Sequence, residues 1–76
     1  MVSIMDKNQL RYEAEQQLIR TCIDLGFIQI DLNAAHERGD VPAYYSRVAR
    51  GIGATITKLE EIKAMVEQVQ KLVMEE

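Results

Sequence analysis

The sequence has no tryptophan, one phenylalanine and three tyrosines, so few large rings are available to fill a core. One cysteine, Cys22, excludes an internal disulfide and argues against a thiolate zinc site. One histidine, His36, has no properly spaced ligands around it for a metal or catalytic set. Basic residues are not in excess: the formal charge is −3, which argues against a dedicated nucleic-acid binder. No apolar run approaches the roughly 18 residues of a spanning helix. The start, Met1-Val2-Ser3-Ile4-Met5-Asp6, has no basic segment followed by an apolar one. A cytoplasmic chain is therefore expected, with Met5 as an alternative to Met1 as the start. A single proline and four glycines leave few places for a chain break.

What is present is aliphatic and periodic. The hydrophobic share of 47% suits a folded chain and is too high for disorder. At 76 residues the chain makes one domain with a small core. Alternating steps of three and four connect Tyr45, Val48, Ile52, Thr55, Leu59, Ile62, Val66, Val69 and Val73, all apolar or aromatic except Thr55. A spacing averaging 3.5 residues keeps one seam of a helix facing a partner helix. This seam predicts a helix over about 41–74 packed on an earlier one.

The earlier helix is expected from about 6 to 38, with Asp6 as its N-cap. Its apolar residues form two stripes at helical spacing. Leu18, Cys22, Leu25, Ile28 and Leu32 make one, and Ile19, Ile23, Phe27, Ile30 and Ala34 make the other. A helix in a simple pair needs one stripe. The first, through Leu18, Leu25 and Leu32, is assigned to the seam. The second is left for a further chain. Between the helices, Gly39 suits the left-handed position after a helix end, Asp40 is expected to cap the next helix, and Pro42 fits its first turn. A turn confined to residues 39–40 makes the helices antiparallel. The hairpin turn sets Gly26 level with Gly53, and Ile28 level with Gly51.

The fold expected is all-α: an antiparallel, coiled-coil-like two-helix hairpin, one unit over 1–76, completed by oligomerisation. Its seam is Tyr45, Val48, Ile52, Leu59, Ile62, Val66 and Val69. Its partner surface is Ile19, Ile23, Phe27, Ile30 and Tyr44, with Phe27 as anchor. Adjacent helical residues diverge by 100°, so Tyr44 is left toward the edge when Tyr45 joins the seam. No catalytic set, cofactor site or metal site is expected. Cys22 reads as a small core residue. Gly51-Ile52-Gly53 lacks the strand and lysine of a phosphate loop. Arg38-Gly39-Asp40 reads as a helix stop, not an adhesion motif. Arg38, Arg47, Arg50 and Lys58 gather toward the bend and read as a solvated face.

Arg38-Gly39-x-x-Pro42-x-x-Tyr45 at the bend, followed by Ala54 and Ile56, resembles the small co-chaperones of type III secretion needle subunits. Those proteins are short cytosolic hairpins with an Arg-Gly bend and an aromatic residue opening the second helix. The resemblance implies a hairpin that binds a helical-repeat chaperone. The pair would hold the needle subunit's apolar helix and prevent premature polymerisation. The same residues also fit another helical adaptor, a homo-oligomeric structural protein or, less well, a nucleic-acid-binding four-helix dimer.

Overall fold

A computed structural model describes residues 6–75. The molecule is an all-α hairpin of two helices, α1 (Lys7–Glu37) and α2 (Pro42–Met74). The helices lie side by side in a body of 56 × 23 × 15 Å. The choice between Met1 and Met5 as the start falls outside the described residues, as does Glu76.

Local chemistry explains both ends of α1. The Asp6 carboxylate accepts from the Gln9 amide at 2.8 Å, and the Gln9 side chain accepts from the Asp6 amide at 3.4 Å. This reciprocal pair satisfies two donors that a helix start leaves open. At the other end the Gly39 N–H donates to the His36 carbonyl and the Asp40 N–H to the Ala35 carbonyl, both at 3.1 Å. Gly39 has φ +90°. The pattern is a Schellman stop, which glycine adopts without strain.

Asp40 behaves differently from expectation. It too has positive φ, +60°, and it does not cap α2. Val41 occupies the N-cap position and offers no side-chain bond, with Pro42 following in the first turn. The left-handed turn directs the Asp40 carboxylate back over the bend. There it accepts from the Tyr45 hydroxyl and lies 3.1 Å from His36 Nδ1.

The helices meet along one narrow line from each. In α2 the line is Val48, Thr55 and Ile62, all buried, continued by half-buried Val69. In α1 it is Ala14, Thr21 and Ala35, all buried, with half-buried Ile28 between them. Successive members lie one heptad apart, so both lines keep facing inward along the pair. Small residues dominate the α1 line and let the helices approach closely. The two buried threonines are satisfied locally: Thr21 donates to the Gln17 carbonyl at 2.7 Å, and Thr55 to the Gly51 carbonyl at 2.9 Å. Ile28 lies across Gly51, where an added Cβ would sit 3.3 Å from its Cγ1. That contact fixes the register of the hairpin.

This arrangement corrects half of the seam read from the sequence. Ile52, Leu59 and Val66, with Val73, stand at the margin of the interface and remain exposed. Leu18, Leu25 and Leu32 do the same on α1, and Cys22 is exposed rather than in the core. The reason is geometric. Two helices in contact through small residues bury one line from each. The second apolar line, displaced by about half a right angle in a 3.5-residue repeat, is left beside the seam.

Candidate protein-interaction surface

Two exposed apolar surfaces follow from this packing. The first is the outer side of α1. Ile19, Ile23, Phe27 and Ile30 are 50%, 56%, 62% and 63% exposed. Ile23, Phe27 and Ile30 border an open depression whose floor is Gly26. Beyond the backbone of its own turn and its chain neighbours, no atom lies within 4 Å of a Cβ placed on Gly26. The hairpin's own packing therefore does not require a glycine there, although glycine costs about 1 kcal/mol against alanine inside a helix.

Ile19 stands about one turn before this group on the same outer side. Tyr44 is not continuous with it. Tyr44 is half-buried at the bend, bordering a hollow with Asp31, Ala34, Arg38 and Arg47. The Arg38 and Arg47 guanidinium carbons lie 5.3 and 5.6 Å from its ring centroid, and Arg38 Nη1 donates to its hydroxyl at 3.2 Å. The cation–π geometry engages the ring face that an incoming partner would need. Of the five residues expected at a partner surface, three gather, one is close, and Tyr44 is set apart.

The second surface was missed as a surface by sequence reasoning. In an antiparallel pair, positions four after the seam line of α1 and four after that of α2 fall on the same broad side. Leu18, Leu25 and Leu32 thus flank the seam beside Ile52, Leu59 and Val66. Leu18 and Val66 line one groove together at the open end of the hairpin, next to Ala14 and Val69. The opposite broad side is polar around Thr21, where Gln17, Arg20, Asp24 and Lys58 share a hollow, while half-buried Leu10, Met65 and Leu72 lie on that side toward the open end. The signal in the sequence was the seam itself. Its alternate members carry different burial, which spacing alone does not separate.

The basic residues near the bend are partly engaged. Arg38 and Arg47 flank Tyr44, and Lys58 lies 3.5 Å from Glu61. Asp40 accepts from Tyr45 and is near His36, so its carboxyl is held below the ordinary 3.8, first by the Tyr45 hydroxyl and then by His36. The same bond pushes the Tyr45 hydroxyl above the ordinary 10.0. Among the described residues, no three His, Cys, Asp or Glu side chains are placed to share a metal ion. No helix among them is long and apolar enough to cross a membrane. No protein-family model, curated protein or solved structure matches the chain.

Proposed function

We propose that the chain is a non-catalytic protein-interaction module whose partner packs an apolar helix on the outer side of α1. One observation carries this reading: four large apolar side chains, Ile19, Ile23, Phe27 and Ile30, stand at least half exposed on one helix. Around Gly26, three of them frame a depression open to a knob from another helix. Such a cluster on a small domain is the signature of a binding surface.

The more specific reading follows the bend motif Arg38-Gly39-x-x-Pro42-x-x-Tyr45. By resemblance, the partner is a helical-repeat chaperone, and the complex shields an aggregation-prone needle subunit. A tagged chain, captured from its native cell beside a Phe27→Ala control, tests both levels. Secretion chaperones held by the wild type and lost from the control support the specific reading. Unrelated helical partners lost in the same way support a general adaptor. In either case Phe27→Ala should weaken binding by about 2 kcal/mol or more, roughly thirtyfold. Equal capture by wild type and control would overturn the proposal.

A further inference from the structure

We infer that the broad face lined by Leu18, Leu25, Leu32, Ile52, Leu59 and Val66 is covered by the same face of a second copy, giving a four-helix bundle. The hairpin has little core of its own. Its buried apolar residues are Ala14, Ala35, Val48 and Ile62, of which two are alanines. A chain of this size ordinarily needs a staple or an oligomer to hold its fold. No disulfide within the chain can supply it, because Cys22 is its one cysteine.

The exposed face is close to what a dimer needs. Its six residues and the adjoining Val73 are between 38% and 52% exposed. Ile56, 51% exposed, extends it on the outer side of α2. A fully exposed aliphatic side chain offers on the order of 100 Å² of apolar surface, so eight half-exposed ones offer roughly 400 Å². A standard interface takes about 800 Å² from each partner, about 65% of it apolar in homodimers, or roughly 500 Å². The face provides most of that requirement without a second protein.

Its layering suits a copy of itself. Ile28 over Gly51 fixes the register. At that register Leu18, Leu25 and Leu32 lie approximately level with Leu59, Ile52 and Tyr45. The three layers are one heptad apart and none contains a charge. A two-fold axis midway between the Leu18–Leu59 and Leu25–Ile52 layers places each of these layers on the other in the second copy, with Val66 on the Leu32–Tyr45 layer. Such a contact is isologous and closed, so it ends at two chains. The outer stripe of α1 stays free for a partner.

Sedimentation of the purified full chain tests this directly and independently of any partner. The wild type is expected to sediment as two chains at micromolar concentration, with a thermal midpoint that rises with concentration. Leu59→Glu is expected to weaken pairing at least a hundredfold. Phe27→Glu, on the outer stripe, should leave the two-chain mass unchanged. If Leu59→Glu does not fold, Leu59→Ala should still weaken pairing about tenfold or more. A compact single chain with a concentration-independent midpoint would overturn the inference. So would a dimer broken by Phe27→Glu but kept by Leu59→Ala, which would place the contact on the wrong side of the hairpin.

Discussion

Three glycines in helices allow the packing to be tested by adding one methyl group at a time. Glycine inside a helix costs about 1 kcal/mol against alanine, so each Gly→Ala change begins with that gain. At Gly53 nothing lies within 4 Å of the new Cβ, and the gain should appear in full. For a chain of this size, about 1 kcal/mol raises the thermal midpoint by about 4–8 °C. At Gly51 the new Cβ would stand 3.3 Å from Ile28 Cγ1 and 3.4 Å from its Cδ1. Ile28 must then give by a few tenths of an ångström while held between close helices. Overpacking of this kind costs about 1–3 kcal/mol, enough to cancel the gain or reverse it. Gly51→Ala is therefore expected at or below wild type, and Gly51→Val clearly below it. Circular dichroism melts at one fixed chain concentration read the difference, since association would otherwise shift the midpoints. Equal stabilisation by Gly51→Ala and Gly53→Ala would show that Ile28 is not seated on Gly51, and the register argued above would fall with it.

Two further outcomes follow from the helix ends. Asp6→Ala removes the carboxylate that accepts from the Gln9 amide and should cost about 1 kcal/mol in thermal or denaturant unfolding. At the bend, the lowered Asp40 carboxyl contributes stability above 3.8 that is lost as pH falls through its folded value. The raised Tyr45 hydroxyl contributes stability below 10.0 that is lost as pH rises through its folded value. Between those limits the bend should be insensitive to both groups. Tyr45→Phe should move the Asp40 carboxyl upward in a carbon-detected NMR titration; an unchanged midpoint would mean that the hydroxyl does not reach it.

Much of the hairpin was legible because its signals are local. Asp6 before a helix-forming run, Gly39 after one, and Pro42 opening the next each act through their own backbone geometry. The pairing of Ile28 with Gly51 was also legible, because so short a link leaves little freedom in register. Asp40 was not legible. Its side chain can cap the following helix or turn back, and the choice depends on φ. In the structure the second positive φ in a row takes it to Tyr45 and His36.

The faces were harder to read than the elements, for a reason that bears on the protein's role. Hydrophobic spacing reports which side of a helix avoids water, not which neighbour covers it. The stripe through Leu18, Leu25 and Leu32 was assigned to the seam, yet the structure places Ala14, Thr21 and Ala35 there. Small residues win the inner line because they let the backbones approach. The larger residues then flank that line on one broad side. A two-helix protein selected only to fold alone would gain by putting its leucines inward. This hairpin instead keeps six large aliphatic groups, Leu18, Leu25, Leu32, Ile52, Leu59 and Val66, exposed at a margin shared by both helices. That distribution is the one expected of half of a larger helical core. The dimer test and the partner test therefore address different surfaces: the broad face carries the proposed pairing of two copies, and the outer stripe of α1 carries the proposed partner contact.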